Sequence, residues 1–147
     1  MRTPPPIAAR RVFVDTSAYF ALADEREADH AEAIAILGRL SDARYRQYTT
    51  NIVLIECHAL MLARLGRTRA SQFLRGMATS HTTLVRVRAQ DEDRAKAVLF
   101  RYDDKDFSFA DAISFVVMQR LGITHAITLD DHFAQYGFTI VTSRTAL

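Results

Sequence analysis

Four acidic residues occupy positions that packing alone does not ask for. Asp15 follows the apolar run Val12-Phe13-Val14, and Asp130 follows Ala126-Ile127-Thr128-Leu129, so each is predicted at the carboxyl end of a strand. Glu56 shares a predicted helical face with Ile52, Val53, Ala59, Leu60 and Ala63, and Asp111 shares one with Phe107, Ser114, Phe115 and Met118. An unpaired carboxylate in an apolar stripe is costly, so each needs a cation, a set of hydrogen bonds or the edge of a cleft. Taken singly, each has a simpler reading. Asp15 and Asp130 suit N-caps, Ser108 and Asp111 fit an acidic capping box, and Glu56 fits a structural ion pair with an arginine. Taken together, the four favour a common cause. Clustered carboxylates repel one another unless a cation compensates, and the cation for an all-oxygen site is Mg²⁺ or Mn²⁺. Such ions orient a phosphodiester, acidify a bound water and stabilise the leaving oxygen. The chemistry predicted is metal-dependent phosphodiester hydrolysis by in-line attack of water, with the acids positioning ions rather than acting as nucleophiles.

The elements that must hold these acids alternate between short β-branched runs and longer helical patterns. Strands are predicted at 11–14, 46–50, 83–87, within THAITL after Gly122, and within FTIVT near the end. Helices are predicted from Thr16, over 27–44 with Ala31, Ile34, Leu37 and Leu40 on its inner face, from an Asn51 cap to about Leu65, and over 68–79. Others follow over 91–102, whose acidic first turn suits the helix dipole, over 108–122, and from Asp131. Strands alternating with helices of ten or more residues imply crossover units, hence a parallel sheet with helices on both faces. In such sheets ligands bind beyond the carboxyl ends of the strands, where strand order reverses. That is the edge predicted for Asp15 and Asp130.

Composition bounds the setting. The 147 residues are 49% hydrophobic and 24% charged, with 19 Lys+Arg against 17 Asp+Glu, a net charge of +2. This suits one domain with a sizeable core: residues 11–147, after a proline-rich lead-in at 1–10 read as flexible. The single cysteine, Cys57, excludes an internal disulfide and reads as a small buried hydrophobe. Neither a signal peptide nor a membrane span is expected, so the reading is cytoplasmic. If four acids gather in one cleft, the rest of the chain carries 19 − 13 = +6, nearly all arginine, which suits a polyanionic substrate.

With these residues in view, the chain resembles the PIN-domain nucleases. VDTSAYFAL around Asp15, TNIVLIE ending at Glu56, FSFADAISFVVMQRLGI around Asp111 and ITLDDHF around Asp130 are similar to that family's four acidic motifs, in order, over residues 11–141. In size the chain is similar to the VapC toxin ribonucleases of type II toxin–antitoxin pairs. The resemblance implies a three-layer α/β/α fold with a five-stranded parallel sheet in the order 3-2-1-4-5. It also implies Mg²⁺- or Mn²⁺-dependent endoribonuclease activity, homodimerisation, and inhibition by a small antitoxin whose tail enters the acidic groove. Asp15, Glu56, Asp111 and Asp130 match the family's metal-coordinating acids, with the adjacent Asp131 as the other candidate for the fourth place. Thr16 and Ser108 match places where a hydroxyl supports the cluster, and capping is the competing role for both.

Other residues carry less. His132, just past the fourth motif, reads as a surface or interface residue with substrate contact as the alternative, and Asp103, Asp104 and Asp106 read as a solvated connection. Arg10, Arg11, Arg64, Arg67, Arg69, Arg86 and Arg88 are candidates for gripping phosphates. Two alternatives stand beside the toxin nuclease: a PIN nuclease of general RNA processing without an antitoxin, and a non-catalytic module holding a basic peptide in an acidic groove. Haloacid-dehalogenase and receiver chemistries fail on Ser17 and on Arg86-Val87-Arg88, where each would need an aspartate.

Overall fold

The computed structural model describes residues 3–147. Five short strands, β1 (Arg11–Val14), β2 (Arg46–Thr50), β3 (Thr83–Val85), β4 (His125–Ile127) and β5 (Thr139–Ile140), pair in parallel in the order β3-β2-β1-β4-β5. The expected order is therefore the observed one. The chain begins at the centre, steps outward to β3, then returns across the sheet to β4, so order reverses between β1 and β4. Their register sets Phe13 against Ala126 and Val14 against Ile127, and Asp15 N–H donates to Ile127 O at 3.1 Å. The first residues past both strands are thereby held side by side.

Among the described residues, seven α-helices cover the sheet: α1 (Thr16–Ala23), α2 (His30–Asp42), α3 (Asn51–Leu65), α4 (Arg67–Thr79), α5 (Ala89–Arg101), α6 (Phe109–Leu121) and α7 (His132–Tyr136). α1 packs on α2 and α3, and α3 on α4, while α5, α6 and α7 form a second group. Parallel crossovers are right-handed, so the outward and returning connections fall on opposite faces and give three layers. Val12, Phe13 and Val14 are fully buried between them, as a strand covered on both faces requires. Aromatic packing ties α7 to α6: the Phe115 ring lies 4.9 Å from Phe133 edge-on and 4.6 Å from Tyr136 in a stack. No helix among the described residues is long and apolar enough to cross a membrane.

Three local expectations are corrected. The inner face of α2 is Ala33, Ile36 and Leu40, whereas Ala31 and Ile34 are exposed. Positions 33–37 form an unbroken apolar run, so spacing there fits more than one face. Packing against the sheet and α1 chose it. The cap of α3 is Thr50, whose hydroxyl accepts from Val53 N–H at 3.1 Å. Asn51 instead accepts the Val87 N–H at 2.9 Å and pins the exit of β3. Finally, Glu56 is exposed, because α3 buries Val53, Cys57 and Met61, a stripe one residue round from the expected one. In the lead-in, Ile7–Ala9 form one 3-10 turn, and Arg10 donates to Pro5 O at 2.8 Å and to Ala43 O at 2.9 Å.

Candidate metal centre

Asp15 stands at the carboxyl end of β1, and the sequence beyond it supplies its partners. Thr128, just past β4, donates to Asp15 Oδ2 at 3.0 Å, and Ser17 donates to the same oxygen at 3.2 Å. Ser17 Oγ also accepts Leu129 N–H at 2.9 Å, and Thr128 Oγ1 accepts Asp130 N–H at 3.0 Å, so two hydroxyls lace the first motif to the fourth. Asp15 is only 7% exposed. Burial pushes its carboxyl up to about 6, and the Asp111 charge adds to that push against the lowering hydrogen bonds from Thr16 N–H, Thr128 and Ser17. A carboxylate held this far above its ordinary range, with no basic side chain beside it, is short of a cation.

Asp111 occupies the third position of α6. Ser108 Oγ accepts its N–H at 3.0 Å while Asp111 Oδ2 accepts the Ser108 N–H at 3.1 Å, the reciprocal box expected from their spacing. Capping does not exhaust this carboxylate. Its Oδ2 also meets His132 Nδ1 at 2.7 Å, and its other oxygen has no hydrogen-bond partner among the described residues. The helix N-terminus stabilises the charge that accumulates here.

Asp130 turns inward and Asp131 does not. Asp130 Oδ1 accepts the His132 N–H at 2.9 Å in a tight local turn and lies 3.1 Å from His132 Nδ1. Asp131 is exposed at the N-cap position of α7 and makes no side-chain capping bond. Ligand atoms of Asp111, Asp130 and His132 all lie within 4.8 Å of one another, a spacing that one ion can bridge. The set is two carboxylates and an imidazole beside Asp15, with no thiolate, an oxygen and nitrogen set that suits a divalent cation rather than a soft, thiophilic metal.

His132 is the residue that sequence reasoning places wrongly. Rather than a surface residue, it sits between the two acids, edge-on to Phe107 at 5.5 Å. Burial alone would lower its pKa, but the Asp111 hydrogen bond and the charges of Asp130, Asp111 and Asp106 outweigh burial and raise it. The signal is the Asp-Asp-His run itself: a carboxylate accepting the N–H two residues on turns that side chain back toward its acid. Ser17 and Thr128 also escape the sequence as site residues, although each lies within two positions of a motif acid.

Glu56 approaches from the other flank. The Thr16 hydroxyl donates to Glu56 Oε1 at 2.5 Å, which anchors an exposed side chain to the start of α1, next to Asp15. Asp15, Asp111 and Asp130 are thus gathered at the reversal point, with Glu56 linked through Thr16 and outside the tight three-ligand group. Cys57 is buried among core residues, and burial pushes its thiol up to about 12, so it is an inert hydrophobe as expected.

Known proteins share both sequence and fold. The model of the PIN domain matches residues 12–139. A Mycobacterium tuberculosis protein described as the 23S rRNA-specific endonuclease VapC20 is 35% identical over 133 residues, covering 88% of this chain and 97% of its own. The crystal structure of M. tuberculosis VapC20, described as a Sarcin-Ricin loop cleaving toxin, superposes with a TM-score of 0.81 at 32% identity, covering 89% of this chain and 98% of that one. A chain from the DNA-bound VapBC complex of Salmonella typhimurium shares the fold, with a TM-score of 0.64 at 15% identity over 89% of this chain and 96% of its own. Motif order, sheet order and a family match spanning most of the sequence agree, and the chain belongs to the PIN-domain family.

Proposed function

We propose that this protein is a divalent-metal-dependent endoribonuclease and the toxin half of a VapBC-type toxin–antitoxin pair. The observation that carries the reading is the gathering of Asp111, Asp130 and His132 within 4.8 Å beside a buried Asp15 whose only side-chain partners are the hydroxyls of Thr128 and Ser17. Asp15, Asp111 and Asp130 hold Mg²⁺ or Mn²⁺, with Glu56 as the fourth acid on the exposed flank. A bound ion there supplies positive charge for the phosphodiester oxygens and acidifies its water. The chain's own groups set the geometry. Thr128 and Ser17 fix the Asp15 carboxylate, Ser108 orients Asp111 through the capping box, Thr16 orients Glu56, and His132 Nδ1 holds Asp111 and Asp130 together. Asp131, exposed at the N-cap position of α7, is left out of the metal set.

The substrate class follows from the relatives: VapC20 is named for cleavage of 23S rRNA, so structured ribosomal RNA is the first candidate. A small antitoxin with a cationic tail fits the same acidic groove, and the toxin is expected to work as a cytoplasmic homodimer. Residues 11–147 form the PIN domain, and 1–10 lead into it. The test is purified protein on structured RNA with Mg²⁺ or Mn²⁺, with and without chelator, beside Asp111→Asn, which keeps the capping box. Cleavage that survives both chelation and the substitution overturns the reading.

A further inference from the structure

Between Glu56 and Asp91 the chain has no acidic residue, yet it carries Arg64, Arg67, Arg69, Arg75, Arg86 and Arg88. That stretch therefore holds +6, while the rest holds 13 cations against 17 acids, or −4. The near-neutral total conceals a strong separation of charge. All six arginines are exposed, and none forms an ion pair among the described residues.

The fold places them on one flank of the acids. α3 leaves the carboxyl edge of β2 with Glu56 in its second turn, and its end at Leu65 lies about 13 Å further along the axis at ~1.5 Å per residue. α4 returns antiparallel, since Leu54 near the start of α3 lines a pocket with Leu74, Met77 and Ala78 from the later turns of α4. Arg67 and Arg75 are eight residues apart on α4, about 80° around it at ~100° per residue. Arg86 and Arg88 follow β3 at the same sheet edge as Asp15 but two strands away, about 10 Å at ~4.8 Å per strand. The Val87 N–H between them is held by Asn51, which fixes that exit. Two of the six have local work: Arg64 lies over the Phe20 ring at 5.6 Å, and Arg69 donates to Ala23 O. Arg67, Arg75 and Arg86 have no side-chain partner among the described residues.

We propose that this acid-free arm, running from the exit of β3 onto the α3–α4 hairpin, tracks the RNA backbone on one side of the scissile phosphate. The inference rests on the nuclease reading and deepens it. An acidic cluster needs cations before it accepts a phosphodiester, and a second, permanently cationic surface about 10 Å away is where the adjoining phosphates of the same strand must lie. Guanidinium groups meet phosphates bidentately and stay charged at any physiological pH, so the grip is independent of sequence and of metal. Discrimination between RNAs is then left to the cleft.

The test is the triple variant Arg67→Gln, Arg75→Gln, Arg86→Gln, compared with wild type on a long structured RNA and on a tetranucleotide. The ratio of kcat/KM for the long RNA to that for the tetranucleotide should fall roughly tenfold or more. In chelator, where RNA binds but is not cut, the slope of log affinity against log salt should become shallower by about 2, since each phosphate no longer neutralised removes ~0.7. The matching triple arginine-to-lysine variant should restore most of that slope. An unchanged ratio and slope in a protein that cleaves both substrates overturns the arm and leaves the nuclease reading intact. If wild type cleaves neither with metal, the nuclease reading fails, and the slope in chelator still decides the arm. If the triple variant keeps its RNA slope but loses a copurifying protein, the surface is a protein interface and the proposal falls.

Discussion

Replacing Asp15 by asparagine should make the metal-free protein more stable while abolishing cleavage, and the gain should depend on pH in one direction only. In the folded chain burial raises the Asp15 carboxyl to about 6, against ~3.9 in an unfolded chain. The raised value means that the folded state holds the proton more tightly. Stability is therefore fully present below about pH 4 and lost as pH rises through about 6. At ~1.4 kcal/mol per pH unit, the loss reaches about 3 kcal/mol at pH 7.5. Asparagine removes that loss and can still accept from Thr128 and Ser17, which bond the carboxylate at 3.0 and 3.2 Å. Its amide donors must also be satisfied in a place only 7% exposed, which takes back about 1 kcal/mol. A net gain of about 2 kcal/mol remains, or roughly 4–8 °C in Tm for a chain of this size. The assay is urea and thermal unfolding of both proteins in chelator from pH 4.5 to 8, with RNA cleavage measured in parallel. Wild type should approach the variant at the acid end and, on adding Mn²⁺, at the alkaline end. An asparagine variant that is less stable at pH 8, or whose difference from wild type is flat with pH, refutes the argument that Asp15 is a cation-starved carboxylate.

Other outcomes follow from the same geometry. Asp91 is fully buried and accepts from Arg120 Nε at 3.0 Å, Arg120 Nη2 at 2.8 Å and Arg88 N–H at 2.9 Å, so Asp91→Ala should cost about 3 kcal/mol in urea unfolding at pH 7. Burial pushes the Asp91 carboxyl up, but Arg120 and the Arg88 N–H outweigh it and hold the group below its ordinary range. This stability is therefore present above about pH 4, and the variant's deficit should shrink below it. Asp130→Asn should lower cleavage about 100-fold or more and weaken Mn²⁺ binding measured by calorimetry, while Asp131→Asn should do neither, since only Asp130 turns into the cluster. Thr50→Ala should destabilise by about 1–2 kcal/mol in thermal unfolding through loss of the α3 cap, and equal stability would move the cap back to Asn51.

What is legible in the sequence is what period and punctuation determine. Alternating strands and helices, Gly66 and Gly122 as helix ends, acids directly after apolar runs and the Ser108–Asp111 capping spacing yield the sheet, its edge and three of the four acids. What is illegible depends on tertiary choice. Apolar residues run unbroken over positions 33–37 of α2 and line much of α3, so several rotations bury similar area and only packing selects one. Hence Ile34 points outward and Glu56 lies on an exposed flank. Asp91 reads locally as a helix-dipole residue because its partner, Arg120, is 29 positions away on α6, and no local pattern joins them. His132 is hidden for a related reason. A histidine has no local burial signature, and its place is decided by the aromatic packing of Phe115, Phe133 and Tyr136 that swings α7 against α6.

The site is assembled by elements that have their own reasons to be where they are: β1 and β4 by register, α6 by its capping box, α7 by aromatic contacts. β1, β4 and α6 each deliver one carboxylate and α7 delivers His132, and no carboxylate is stabilised by the others' charge. Asp15 shows the consequence, because its raised pKa comes first from burial and then from Asp111. A fold that gathered such acids for stability alone would supply a buried arginine, as it does for Asp91 with Arg120. Here the chain offers only the His132 imidazole, shared between Asp111 and Asp130, and no arginine pairs with any of the three acids among the described residues, so most of the charge compensation, and all of it at Asp15, is left to something that binds. Under the proposed function, a divalent ion and the cationic tail of an antitoxin would meet that same demand and compete for it. Metal should weaken antitoxin binding as strongly as antitoxin weakens metal binding, because linkage between two ligands is reciprocal.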